Sequence, residues 1–86
     1  MGKKIDNLYN DNIYQSIMFT IINLSCENYL NELIDNNIHS VCYYTLEKNI
    51  IQSLKNNNIL FIKDEEFCDI VYDKMCQLED LIQKLY

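Results

Sequence analysis

Proline, arginine and alanine are absent from this chain, and its one glycine is Gly2. Each gap removes a class of chemistry. Without internal glycine there is no loop whose bare backbone can cradle a phosphate. Without arginine there is no planar, bidentate grip on phosphate or carboxylate. In their place stand thirteen Ile, twelve Asn, seven Tyr and seven Lys. The missing residues are those with GC-rich codons, so the bias is that of a very AT-rich genome.

Other absences narrow the field further. The richest apolar run, residues 13–24, is interrupted by Gln15, Ser16, Thr20 and Asn23, and is too short and polar to cross a bilayer. Met1-Gly2-Lys3-Lys4 lacks the apolar run of a signal peptide. Gly2 invites myristoylation, but Asp6 stands where Ser or Thr is wanted. A soluble, cytoplasmic protein is expected. The four cysteines, Cys26, Cys42, Cys68 and Cys76, lack the two-residue spacing of zinc knuckles, and His39 is the only imidazole. Cys68 and Cys76 fall on one expected helix about 12 Å apart along its axis, too far for a disulfide. Free thiols acting as small apolar residues are expected, with no metal and no cofactor. His39 and Ser40 are sequence neighbours, which does not make them base and nucleophile. No catalytic set is found, and the chain reads as a non-enzyme.

What is present is bulk and negative charge. Eighty-six residues make a single domain, and 49% of them are hydrophobic. That is more bulk than a small core can hide, which raises a homodimer or an obligate partner as an expectation. The formal charge is −6. An acidic chain repels nucleic acid and favours a basic protein partner.

Asparagine is the punctuation, since its short polar side chain tolerates left-handed backbone geometry. Asp35-Asn36-Asn37 and Asn56-Asn57-Asn58 read as turns, and Asp11-Asn12 and Asp64 as helix N-caps. An amphipathic helix is expected over residues 64–84. At 100° per residue Phe67, Cys68, Ile70, Val71, Met75, Leu78, Leu81, Ile82 and Leu85 share one broad arc. Lys74 intrudes into that arc and should snorkel or meet a neighbouring carboxylate. A second helix is expected over 37–55, with Cys42, Tyr43, Leu46, Ile50, Ile51 and Leu54 inward. Earlier, Ile13, Ile17, Ile21 and Leu24 share one face, while Cys26, Tyr29, Leu30 and Leu33 share another, rotated by more than a quarter turn. That jump predicts helices over 11–24 and 26–35 with a break near Ser25; one long helix buried on two sides is the alternative. Ile59 to Ile62 should be extended, either as a plug over the bundle or as an edge for a partner's sheet. Residues 1–10 should be loosely ordered. The expected fold is all-α: a compact bundle of three to four helices with one short extended connector.

Glu66, Asp69, Asp73 and Asp80 occupy a stripe about 60° wide opposite the apolar arc, with gaps of about 5–10 Å along the helix. A solvated helix face is the commoner meaning of such a run. The other reading is a row of carboxylates that occupies a Lys/Arg groove built for a nucleic-acid backbone. Asp69 and Asp73 face one way at i, i+4, but the Arg or Gly-rich contacts that usually accompany magnesium chemistry on phosphates are missing. Tyrosine is enriched at interfaces, and Tyr44 and Tyr72 sit at the margins of their helix faces, so they join the candidate contact set.

With its short length, negative charge, carboxylate stripe and lack of a catalytic set, the chain resembles the small acidic inhibitors encoded by phages and mobile elements, among them the anti-CRISPR proteins. The resemblance is one of class. It implies a protein that binds an effector, such as an RNA-guided nuclease, and blocks its nucleic-acid or regulatory surface as a nucleic-acid mimic. No residue roles carry over, because no motif is shared. A helical homo-oligomer acting as an assembly module is the alternative, as is an antitoxin, immunity or viral accessory protein of similar composition.

Overall fold

The computed structural model describes residues 12–85. The expected loose order of residues 1–10, and Asp11 of the first cap, lie outside the described residues. Three helices form the described chain: α1 over Asn12–Asp35, α2 over Tyr43–Asn56 and α3 over Glu65–Leu85. No strand occurs among the described residues, so the all-α bundle is the observed architecture.

The expected break at Ser25 does not occur: α1 is one continuous helix. Ile22, Ser25, Cys26, Tyr29 and Leu33 form one straight buried stripe along it. Ile13, Ile17 and Leu24 lie on the opposite side and stay 72%, 46% and 54% exposed. The apolar pattern rotates because the first half of the helix is apolar on both faces, and nothing in the segment (no Pro, no Gly) interrupts the hydrogen-bond ladder.

Both Asn turns close their helices in the same way. Asn37 and Asn58 adopt positive φ, 59° and 57°. The Ile38 amide donates to the Leu33 carbonyl at 2.9 Å and the Asn37 amide to Ile34 at 3.1 Å. After α2, the Ile59 amide donates to Leu54 at 2.9 Å and the Asn58 amide to Lys55 at 3.1 Å. This is the Schellman pattern, with Asn in the position glycine usually takes. Asn36 and Asn57 add a side-chain bond each, their Nδ2 donating to the Glu32 and Ser53 carbonyls at 2.8 Å.

The same closure corrects the start of the second helix. It was expected at residue 37 but begins at Tyr43, because the left-handed Asn37 turns the chain out of helical geometry. Residues 38–42 cross over non-helically, carrying exposed His39 and Ser40, with Val41 buried in the core. The Cys42 amide donates to the Tyr29 hydroxyl at 3.2 Å, which ties the head of α2 to α1.

Leu46, Ile50 and Leu54 of α2 are fully buried against Ile22, Val71 and Ile82 of the shared core. A fully buried Leu, Ile or Val contributes about 1.5–3 kcal/mol, so this small cluster carries much of the fold. Asp64 caps α3, its Oδ1 accepting the Phe67 amide at 2.9 Å. Glu65 and Glu66 stand in the first turn and Lys84 in the last, matching the helix dipole. Phe67, Val71, Leu78 and Ile82 are buried, as the periodicity requires. Leu81 and Leu85, expected inward, are 45% and 59% exposed. Leu85 points along the buried direction but lies at the last described turn of α3.

Ile59 to Lys63 is extended without a sheet partner among the described residues. Ile59 and Phe61 pack against the core, while Leu60 and Ile62 face out. Phe61 stacks on Phe67 at 5.1 Å with a 26° interplanar angle. The Tyr14 hydroxyl donates to the Leu60 carbonyl at 2.6 Å, and Lys63 pairs with Glu47 at 3.3 Å. The connector is therefore a plug. It lays Ile59 and Phe61 on the core, with Phe61 against the start of α3 and the Leu60 carbonyl held by Tyr14 of α1, and this geometry positions the candidate site.

Candidate partner-binding surface

α3 presents its carboxylates to solvent. Glu66, Asp69, Asp73 and Asp80 are all exposed, as is Glu65 beside them. Glu66 and Asp80 are separated by about 21 Å of helix. The stripe is not uniform. Asp80 pairs with Lys84 at 3.2 Å, both side chains well exposed, and Asp73 accepts a bond from Gln77 Nε2 at 2.9 Å. An exposed i, i+4 pair is weak, but it offsets charge locally. The carboxylate density is therefore greatest over the first two turns of α3.

The tyrosines divide. Tyr72 is 58% exposed and lies about 60° around α3 from Asp69, on the flank of the stripe. Tyr44 is 78% exposed but belongs to α2. It reaches α3 through Tyr43, whose ring meets it edge-on at 5.5 Å. The Tyr43 hydroxyl donates to Glu47 at 3.3 Å and lies 3.5 Å from the Cys68 carbonyl, at the limit of a hydrogen bond. Burial first, then Cys68 and the Glu47 carboxylate, raise the Tyr43 phenol well above its ordinary value. Five of the six candidate residues thus share one helix side, and Tyr44 stands apart from them.

Sequence reasoning missed the groove at the head of this surface. Tyr14, Gln15, Met18 and Phe19 of α1, Phe61 and Ile62 of the connector, and Asp64, Glu66, Phe67 and Ile70 around the start of α3 enclose about 130 Å³. Three Phe side chains from three segments meet there, and no sequence spacing joins them. The one local signal was the Phe61, Asp64, Phe67 run, in which a cap separates two rings. A second groove between α1 and α3 is lined by Cys26, Glu27, Leu30, Lys74, Gln77 and Leu81, among others. Lys74 lies half-buried there, which accounts for its place in the apolar arc. The two grooves pair early α1 with early α3 and residues 23–30 with residues 74–81, so the two helices run in the same sense.

The four cysteines are free and differ in setting. Cys26 is in the core, its pKa raised by burial and partly countered by the Lys74 charge. Cys42, expected on the inner face of the second helix, is exposed because it precedes that helix, and Cys76 is exposed too. Cys42 precedes the first turn of α2, where the Thr45 hydroxyl and amide, and then the Tyr44 amide, hold its thiol below the ordinary value. Among the described residues no three His, Cys, Asp or Glu side chains converge in a way that could hold a metal ion. No described helix is long and apolar enough to cross a membrane.

Comparison with protein-family models, with curated proteins and with solved structures gives no match to this chain.

Proposed function

We propose that this chain is a non-enzymatic binding protein whose acidic α3 surface occupies a basic site on a nucleic-acid-handling effector, an RNA-guided nuclease being the class it suits best. The observation that carries this reading is the row of solvent-exposed carboxylates on one side of α3, flanked by Tyr72. These charges are spaced along a rigid helix, so they present a fixed pattern to a partner. The attraction is long-ranged and strengthens as several charges meet a basic groove. Arg and Lys side chains that hold a phosphate backbone would accept the carboxylates in its place.

The test is a triple reversal, Asp69→Lys with Asp73→Lys and Asp80→Lys. Exposed surface charges change stability by no more than about 0.5 kcal/mol each, so helicity by circular dichroism should be retained. Capture of nucleic-acid-handling proteins from the source cell should be lost with this variant and should fall steeply with salt for the unaltered chain. A variant that captures the same proteins equally well sinks the reading and leaves the stripe as a solvated face.

A second reading, a helical homo-oligomer, is favoured by the outer face of α1. Residues 12–26 carry no charge at all, and Ile13, Ile17 and Leu24 are exposed there. The Thr20 hydroxyl already donates to the Ser16 carbonyl at 2.8 Å, so that face can be covered without stranding it. Light scattering after size-exclusion chromatography decides: dimer mass lost on Ile17→Lys supports self-association, and monomer mass at all concentrations removes it.

A further inference from the structure

We infer that the groove between α1, the connector and the start of α3 is a socket for a single cationic side chain, arginine above all, presented by the partner. The inference rests on the partner being basic, as proposed for the stripe, but adds a site with its own chemistry. Its lining is apolar or aromatic at Met18, Phe19, Phe61, Phe67 and Ile70, with Gln15 and the Tyr14 ring beside them. Asp64 and Glu66 stand on the lining, and among the described residues no cation does. Lys63, the nearest lysine in sequence, is engaged with Glu47 at 3.3 Å. Asp64 spends one oxygen on the Phe67 amide, so its second oxygen and both oxygens of Glu66 remain acceptors for a ligand.

Size sets the kind of occupant. About 130 Å³ is well below the roughly 300–1,000 Å³ of small-molecule sites. It corresponds to four or five waters at about 30 Å³ each, which is room for one side chain. A purely apolar side chain would leave the two carboxylates beside it without a counter-charge. A bare anion would be repelled. An alkyl stem ending in a cation satisfies both halves, with the stem against Met18 and Ile70 and the head between the aromatic rings and Glu66. Guanidinium suits the place better than ammonium because it is planar, stacks on aromatic faces and bonds a carboxylate in a fork. Glu66 belongs to both socket and stripe, so an arginine seated here would set the register of a basic segment lying along α3.

The socket can be tested on the isolated protein with N-acetyl-arginine amide, followed by amide chemical shifts. N-acetyl-norleucine amide (stem without charge) and methylguanidinium (charge without stem) serve as comparison probes. The arginine amide should saturate in the low-millimolar range, the affinity of a single side chain. Its shifts should centre on Phe19, Phe61, Phe67 and Ile70, and each comparison probe should bind about two- to fivefold more weakly. Glu66→Gln should weaken the arginine amide by a similar factor, while Asp73→Lys with Asp80→Lys should leave it unchanged. Shifts centred on residues 69–80, equal binding of the norleucine amide, an indifferent Glu66→Gln variant, or no saturation would each overturn the inference. The two proposals fail separately. A socket that binds arginine amide beside a reversed stripe that still captures partners defeats only the functional reading. The opposite pair of results defeats only the socket.

Discussion

Asn37 and Asn58 are the residues on which the fold turns. With no internal glycine available, each supplies the left-handed step that closes a helix, and each is followed by an isoleucine whose amide completes the closure. Asn58→Ala should therefore destabilise the protein by about 1 kcal/mol, because a β-carbon with no polar compensation sits poorly in that region. For a domain of this size that lowers the melting temperature by about 4–8 °C, whereas Asn58→Gly should not lower it. The turns were legible because Asn-Asn pairs stand between apolar runs. The start of α2 was not, because nothing local says how far the chain travels before it resumes helical geometry. Among the thiols, Cys42 is exposed with a lowered pKa and Cys26 is buried with a raised one. Iodoacetamide near pH 7.5 should label Cys42 first and Cys26 only on unfolding, read by peptide mass spectrometry. Rapid labelling of Cys26 in the folded protein would contradict its placement.

At the scale of elements, α3 was readable almost throughout and α1 was not. The cap at Asp64, the acids of the first turn and the Phe67, Val71, Leu78, Ile82 repeat all agree, so local and tertiary signals point the same way. Leu78→Ala should cost about 2–5 kcal/mol in chemical denaturation. An unchanged midpoint would mean that the buried face of α3 is wrongly assigned. In α1 the first half is apolar on both faces, and periodicity alone cannot tell a bend from a helix with an uncovered side. The socket was beyond sequence reading for a related reason: it depends on where the connector lies, and a four-residue apolar run carries too little pattern to place it.

Across the whole molecule, titration and charge give separate predictions. Tyr43 and Cys26 both have raised folded-state pKa values. A raised pKa contributes stability that is complete below the unfolded-state value and is lost as pH climbs through the folded one. Unfolded Cys and Tyr ionise near 8.5 and 10, and the lowered Cys42 pKa gains stability through the thiol range where Cys26 loses it, so the clear decline should come above about pH 10, from Tyr43. Tyr43→Phe should flatten the part of the decline above pH 10, as measured by thermal melts across pH. If the slope there is unaltered, Tyr43 is not the group responsible. The excess negative charge is gathered at one end of the sequence: residues 64–86 hold seven acids against two lysines. The central claim is that this charge takes the place of a nucleic-acid backbone on a basic partner. The most direct measurement is competition, in which a captured partner is bound to labelled nucleic acid and titrated with this protein in a gel-shift assay. Displacement of the nucleic acid by the unaltered chain, lost with the Asp69, Asp73 and Asp80 reversals, is the predicted result. Undisturbed nucleic-acid binding at saturating concentrations of a protein that still binds the partner would contradict it.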